Sequence, residues 1–451
     1  MLLKRKEDLE NGTANTESDS PMRDGSPKQA PAAPVKKPES QIKIQSVSAK
    51  QEKTPDNPSG EEVTPTTWLN NVFLESVRLD ASDIHIIPEK DYTSVRFRIG
   101  GRMSDVAKWD INYHEMVISR IKIISGLSVV EKNIPQDGHL ELMFETRPGD
   151  TGPSSLNFRV STMPTINGEA AVLRVLSKET SLMTLDQVGL SEKSLYTFRK
   201  ILQRGHGVIL MTGHSGSGKT TTLYAALNEI NAEEKVILTL EDPVEYSVPR
   251  IQQSQVNPAV GYNFSNGLRA ALRQDPDVIM VGEVRDEETA GIAMRFALVG
   301  RLVLTTLHTN SISGALTRLL DMGVSKSIIA SAFTGIAAQR LVRKICPSCR
   351  VESTPPYDLM KMFDIEWPAD QKLYAGQGCN ECGGSGFRDR IGLFEILEID
   401  DDFRNIILQG LPISALEEYV KNHVKETLLQ NGFDMVRSGQ TTLEEVIRAT
   451  I

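Results

Sequence analysis

The chain has 451 residues, of which 39% are hydrophobic and 24% charged, with a formal net charge of −9. This length holds two or three domains with ordinary cores, and the acidic balance excludes general coating of duplex DNA, which rests on many Lys and Arg contacts to phosphate. No run approaches the roughly 18 apolar residues of a membrane-spanning helix, and "MLLKRKEDLENG" lacks the apolar stretch of a secretory signal; a cytoplasmic protein that can dock on a membrane protein is expected.

Residues 1–62 hold seven prolines among many Ser, Lys, Glu and Asp. Such a composition buries too little apolar surface to offset the entropy of ordering, so a disordered polar tail is expected, and it fits a passive tether better than a partner-binding segment. From Trp68 the pattern changes. "TWLNNVFLESVRL" and "HEMVISRIKIISGL" have helical spacing, whereas "TSVRFRIGGRM" alternates Val95, Phe97 and Ile99 against Arg96 and Arg98 as a half-buried strand does. With the strand-like "LNFRVSTMP" and "EAAVLRVLS", these outline a first α/β domain over 66–177.

Residues 178–195 read as a linker with the start of a helix. Beyond it, "GVILMTG", "VILTLED", "DVIMVGE" and "LVLTTLH" are short apolar runs separated by helical segments, the pattern of a parallel sheet covered on both faces. This second α/β domain is expected over 196–345.

The first of these strands runs straight into "GHSGSGKT" and then the helix "TTLYAALNEI". That is the phosphate-binding loop G-x-x-x-x-G-K-[ST] in its required strand–loop–helix context. Gly213, His214, Ser215, Gly216, Ser217 and Gly218 supply the cradle, Lys219 reaches the β/γ-phosphates, and the Thr220 hydroxyl, beside Thr221, is placed for Mg²⁺. The strand "DVIMVGE" ends in Glu283, the form of a Walker B acid. Two further strand ends bring Glu241, Asp242 and Glu245, and His308, to the same edge, where ligands of open α/β sheets bind; a loop histidine with only a structural role is an equal reading of His308. Arginines suit the neutralisation of phosphoryl charge. "LRAALRQDPD" puts Arg269 and Arg273 four apart on one helix face, and Arg159 and Arg174 lie on the alternating strands of the first domain.

Only four cysteines occur in the chain. Cys346 and Cys349, then Cys379 and Cys382, form two chelating pairs, a four-thiolate set that suits tetrahedral Zn²⁺ better than a redox pair and marks out a subdomain over 346–390. Arg350, Gly378, Gly383 and Gly384 suit turns whose N–H groups point at sulfur. The remainder, 391–451, reads as mostly helical, with "PISALEEYVKNHV" and "TTLEEVIRATI" amphipathic.

The ordered set "GHSGSGKTTTL", "TLEDPVEY", "RQDPDVIMVGEVRDEETA", "TTLHTN" and "CPSC…CNEC…GFRDRIGLFEIL" closely resembles the type II/type IV secretion superfamily ATPases, and more narrowly their assembly motors. "ASDIHIIP", "VRFRIGGRM" and "IPQDGHLEL" agree, so the resemblance covers about 66–451. It implies an α/β chain with a PAS-like N-terminal domain joined by a flexible linker to a RecA-like ATPase domain, assembled as a homo-hexamer that uses ATP, Mg²⁺ and Zn²⁺. It implies an Asp box from Thr239 to Glu245, the Walker B role of Glu283, a His box at His308, and phosphate or ring contacts for Arg159, Arg174, Arg269 and Arg273. It further implies a polytopic inner-membrane platform protein as partner at the cytoplasmic face and no direct nucleic acid; a RecA-like nucleic-acid motor is the alternative. The metal arm points to polymerisation over retraction. Gly100 or Gly101 and His139 depart from the acidic residue and the arginine frequent in the family, and a short tail stands in place of its larger N-terminal docking domain.

Overall fold

The computed structural model describes residues 42–44, 64–79, 81–144, 154–176, 183–245, 247–368, 371–410 and 412–450. The first domain is one twisted sheet with two helices on one face. Its strands are β1 (Ile42–Ile44), β2 (Ala81–Pro88), β3 (Tyr92–Ile99), β4 (Arg102–Asp110), β5 (Gln136–Phe144), β6 (Ser154–Thr165) and β7 (Gly168–Leu176), its helices α1 (Pro65–Arg78) and α2 (His114–Ile124). The strand order is β1-β5-β6-β7-β2-β3-β4. Thr64 caps α1 by accepting from the Thr67 N–H, and Pro65 stands at the first turn, where its missing donor is not needed. The alternation of β3 is realised: Val95 and Phe97 are fully buried against Leu69, Phe73 and Ile121, while the arginines lie on the other face.

The expected disordered tail lies outside the described residues except for Ile42–Ile44, which pair in parallel with Leu142–Phe144 of β5. "IKI" is an extended-compatible apolar pair in a polar stretch, and an edge strand offers unpaired backbone groups to it.

The second domain is built on β8 (Gly207–Thr212), β9 (Ile237–Glu241), β10 (Ile251–Gln255), β11 (Val278–Val281), β12 (Leu302–Leu307), β13 (Phe333–Ile345) and, after an excursion, β16 (Phe387–Glu398), with α3 (Glu192–Leu202), α4 (Lys219–Ile230), α5 (Phe264–Ala271), α6 (Glu287–Leu298), α7 (Ile312–Asp321) and α8 (Lys326–Ala332). The order is β10-β9-β11-β12-β8-β13-β16, all parallel except β16. Both faces are covered. Val208, Leu210, Ile279 and Val303 join one core with α5 to α8, while Ile209, Met211, Met280 and Leu304 join the other with α3 and α4. That is why β8, β9, β11 and β12 are buried at every position.

Two boundaries differ from expectation. Leu185, Val188 and Leu190, in the stretch read as linker, are buried in the α3/α4 core, and the Gly392 N–H donates to the Val188 carbonyl. The polar spacing of 178–195 hid three apolar anchors. The last segment also begins as strand: β16 runs through residue 398 and pairs antiparallel with β13. The cysteine arm, with β14 (Arg350–Ser353), α9 (Tyr357–Met362) and β15 (Leu373–Gly376), is therefore an insertion into one long hairpin. Only then come α10 (Asp401–Gln409), α11 (Ile413–His423), α12 (Leu428–Arg437) and α13 (Leu443–Thr450). Among the described residues the arm has no core of its own: Met360 and Leu373 bury against Val436, Leu443 and Val446 of the last two helices.

Glu445 of α13 ties this region together. Its side chain, 2% exposed, accepts from Arg343 Nη2 at 2.7 Å and Arg448 Nη2 at 2.7 Å, and Arg102 of the first domain lies 3.9 Å away. Burial opposes ionisation, but Arg343 and Arg448 outweigh it and hold the carboxyl at about 2. Because this value is depressed below the ordinary 4.5, the stabilisation is complete above that pH and is lost as pH falls towards 2. Glu445→Gln strands a buried guanidinium and is expected to lower unfolding free energy by about 3 kcal/mol near neutrality; urea titrations at pH 7 and pH 3 should show this difference shrinking at the acid pH.

Candidate functional site

The phosphate loop is a backbone structure before it is a set of side chains. Gly218 begins α4 at φ 88°, a left-handed conformation that favours glycine. Gly213 is required by close approach, since a Cβ there would lie 2.5 Å from the Gln339 carbonyl. Lys219, 7% exposed, folds over the loop and donates to the carbonyls of Gly213 at 2.7 Å and His214 at 3.0 Å. Burial is the main cause that lowers its ammonium to about 8; Glu283 opposes that and Arg340 adds to it. The Ser217 hydroxyl is buried with no hydrogen-bond partner. An orphaned donor, a glycine-lined turn and a helix N-terminus fit a phosphate group. His214, Ser215 and Gly216 are exposed at the rim, and Thr220 and Thr221 are half-buried on the first turn of α4.

Opposite the loop stands Glu283, two residues beyond β11. Its carboxylate accepts from Arg285 and lies 3.5 Å from His308 Nε2. Arg285 also reaches Asp242 at 3.7 Å, so it bridges the ends of β9 and β11. His308 follows β12 at the same edge; partial burial first, then Lys219, lowers its pKa, so its imidazole is neutral near pH 7.

The three acids read together from "TLEDPVE" separate in space. Glu241 is 2% exposed and saturated: Tyr224 Oη, Thr239 Oγ1 at 2.6 Å and Gln253 Nε2 at 3.1 Å all donate to it. It braces the floor of the site. Glu245 is reached by water, yet enough protein surrounds it that desolvation, then Glu241, raises its carboxyl above the ordinary range, with Arg174 opposing.

Arg159 and Arg174 are directly opposite on β6 and β7. Such a like-charge pair is unfavourable by itself. Asp83 relieves it, accepting from Arg174 Nε at 2.8 Å with Arg98 at 3.3 Å. His139 extends the row on β5. Arg269 and Arg273 are not on one helix face as expected. The helix α5 ends at Ala271, and Arg273 Nη1 caps the Arg269 carbonyl while Arg269 pairs with Glu288. Among the described residues, neither is bonded to the phosphate loop or to Glu283.

All four cysteines are free, and their sulfurs lie within 4.8 Å of one another. The sulfur–sulfur distances are 3.8 Å for Cys346–Cys379, 3.9 Å for Cys349–Cys382 and 3.7 Å for Cys379–Cys382. A tetrahedral ion with sulfur at about 2.3 Å demands edges of about 3.8 Å, so the donor set fits such a metal. Backbone N–H groups of Gly378, Cys379 and Gly386 point at sulfur. Burial opposes ionisation of Cys382, but the last two donors draw its thiol down. Of the glycines singled out in the sequence, Gly378 serves this purpose, while Gly383 and Gly384 bond to carbonyls.

Arg285, Gln339 and Arg340 escaped the sequence reading. Arg285 follows Glu283 by two residues, and Gln339–Arg340 is a polar pair in the middle of "FTGIAAQRLVRKI". A polar pair interrupting a mostly buried strand is the signal that finds Gln339 and Arg340. The lowered Lys219 value has a direct consequence: since phosphate is held by the cationic form, triphosphate affinity measured by fluorescence titration between pH 6.5 and 9.5 should decline as pH rises through about 8.

Comparison with known proteins shows the family. The family model described as type II/IV secretion system protein matches residues 60–448. The type II secretion system ATPase E of Vibrio cholerae is 42% identical over 391 residues, covering 86% of this chain and 76% of that protein. The type IV pilus assembly ATPase PilB of Thermus thermophilus is 39% identical over 403 residues, 89% of this chain but 44% of the relative. Among solved structures, the Legionella pneumophila ATPase DotB superposes with a TM-score of 0.63 at 22% identity, over 87% of this chain and 97% of its own. The pilus retraction motor PilT with bound ADP gives 0.53 at 25% identity, over 84% and 95%. The chain thus belongs to the type II/IV secretion system protein family, the family of the secretion and pilus-assembly ATPases.

Proposed function

We propose that the chain is a hexameric motor at the cytoplasmic face of the inner membrane that hydrolyses ATP to drive assembly of a type IV pilus or type II secretion pseudopilus through a polytopic platform protein. The observation that carries the reading is the phosphate cradle, with Lys219 and the orphaned Ser217 hydroxyl on one side and Glu283 with neutral His308 on the other.

In this reading the N–H groups of residues 214–220 hold the phosphates, and Lys219 leaves the Gly213 and His214 carbonyls for the β/γ-oxygens. Glu283 orients the attacking water and accepts its hydrogen bond, Glu245 with its raised carboxyl is a second proton acceptor at the cleft, and His308 links Glu283 to the presence of the terminal phosphate. Mg²⁺, held by the Thr220 hydroxyl and the acids at the strand ends, would neutralise charge on the phosphates. The first domain is taken as PAS-like and the second as RecA-like. Arg159 and Arg174 then approach nucleotide from the first domain, while Arg269 and Arg273, on the outer surface, meet a neighbouring subunit. The four thiolates take Zn²⁺ as a closed structural site, and the arm supports the polymerising direction. No direct contact with nucleic acid belongs to this reading.

Lys219→Ala and Glu283→Gln are each expected to lower Mg²⁺-dependent ATP hydrolysis by about a hundredfold or more while the chain still folds; a clean Glu283→Gln preparation turning over at the parent rate would sink the assignment. Elemental analysis should find about one Zn²⁺ per chain, falling to near zero in Cys382→Ser together with a lower melting temperature. A folded, active, metal-free parent preparation would overturn the structural role of zinc.

A further inference from the structure

Arg340 acts on Lys219 electrostatically from outside the phosphate loop. It sits on β13, 7% exposed, in the strand that pairs with β8 immediately before the phosphate loop, with Ala338 opposite Thr212. A buried cation is costly unless it is paired, and among the described residues Arg340 forms no ion pair. Its donors go to two backbone carbonyls: Nη1 to Gln339 at 3.1 Å and Nη2 to Asn310 at 2.5 Å. Asn310 lies two residues beyond His308. The same loop is held from the other side by Thr212, whose hydroxyl donates to the Thr309 carbonyl at 2.9 Å.

The Gln339 end of this bridge lies beneath the phosphate loop. Its side-chain oxygen accepts from Thr222 Oγ1 of α4 at 3.0 Å. A Cβ on Gly213 would meet its carbonyl at 2.5 Å, and one on Gly218 its Nε2 at 2.8 Å. Both glycine bends therefore rest on one residue, which Arg340 clasps through its carbonyl. The charges that face Arg340 are Lys219 on α4, which it renders more acidic, and Glu395 on β16, which attracts it without contact. A planar fork suits two carbonyls on different loops, and its uncompensated charge suits a polyphosphate in front of it.

We infer that Arg340 is a positioning residue of ATP hydrolysis: it fixes the His308–Asn310 loop against the phosphate loop and supplies permanent positive charge behind the phosphate cradle. The inference rests on the ATPase reading of the same site, but the two fail differently. A parent chain that does not hydrolyse ATP removes the reading itself, whereas the role of Arg340 is judged only against a parent that turns over.

The test uses the full chain with Arg340→Met and Arg340→Lys, measuring kcat and KM for Mg-ATP, the Kd of a fluorescent ATP analogue, and the thermal midpoint. Arg340→Met should weaken nucleotide binding by about fivefold and lower kcat by about tenfold. Arg340→Lys restores the charge but not the fork, so Kd should return to within about twofold of the parent while kcat stays depressed by about fivefold. A merely structural arginine would instead shift the thermal midpoint and active fraction in both variants without this split between affinity and turnover. Folded Arg340→Met with kcat and Kd within about twofold of the parent overturns the inference. If Arg340→Met does not fold, Arg340→Lys decides alone, and parent-like kcat in it overturns the inference as well.

Discussion

A parallel sheet buried on both faces leaves polar chemistry only one place to go. Every residue of β8, β9, β11 and β12 is buried, so a charged side chain within those strands would need a partner that the two apolar cores do not supply. The exceptions are informative: Thr212, Thr239, Thr305 and Thr306 are small hydroxyls, of which the last two donate to the carbonyls of Val281 and Gly282, and Glu241, at the very end of β9, is satisfied by Tyr224, Thr239 and Gln253. Charge begins where the strands end. The phosphate loop after β8, Asp242 after β9, Glu283 after β11 and His308 after β12 thus share one edge because of burial, and their proximity in space needs no other cause.

The strand β13 carries that edge into the rest of the molecule. Its polar pair Gln339–Arg340 supports the phosphate loop, while three residues further on Arg343 pairs with Glu445 and stacks on Phe387 at 3.9 Å. Beyond Ile345 the chain enters the four-cysteine arm and returns through β16 to the same sheet. The arm is therefore inserted at the mouth of a hairpin whose first strand supports the phosphate loop from its middle, at Gln339. Gly100, in the turn of the first domain, comes so close to Arg343 that a Cβ would lie 2.8 Å from its Cδ. Gly100 is thus at a contact between the two domains, where its small size and a φ of 55° suit glycine.

Strand periodicity, the phosphate loop and the paired cysteines were legible because each is a local pattern imposed by a local geometry. Alternation in β3, continuous apolar runs in the second sheet and two Cys-x-x-Cys pairs each follow from contacts within a few residues or from a metal's fixed coordination. The burial of Leu185, Val188 and Leu190 was not legible for the converse reason: they are spaced apolar residues in a polar stretch, and only packing with α3 gives them a core. The same holds for the helical face expected of Arg269 and Arg273, since the helix stops at Ala271.

Read by itself, the sequence determined the family and placed the glycine-rich loop before α4, the acid after β11 and the two Cys-x-x-Cys pairs, since in each the neighbours that matter are adjacent in the chain. Tertiary structure alone decided how the polar residues divide their work. It sent Glu241 into a saturated network with Tyr224, Thr239 and Gln253, left Glu245 in the cleft facing Arg174, and brought Arg340 from a distant strand to the back of the phosphate loop. The physical reason is that hydrogen-bond satisfaction and desolvation depend on groups far apart in sequence, which no local pattern records.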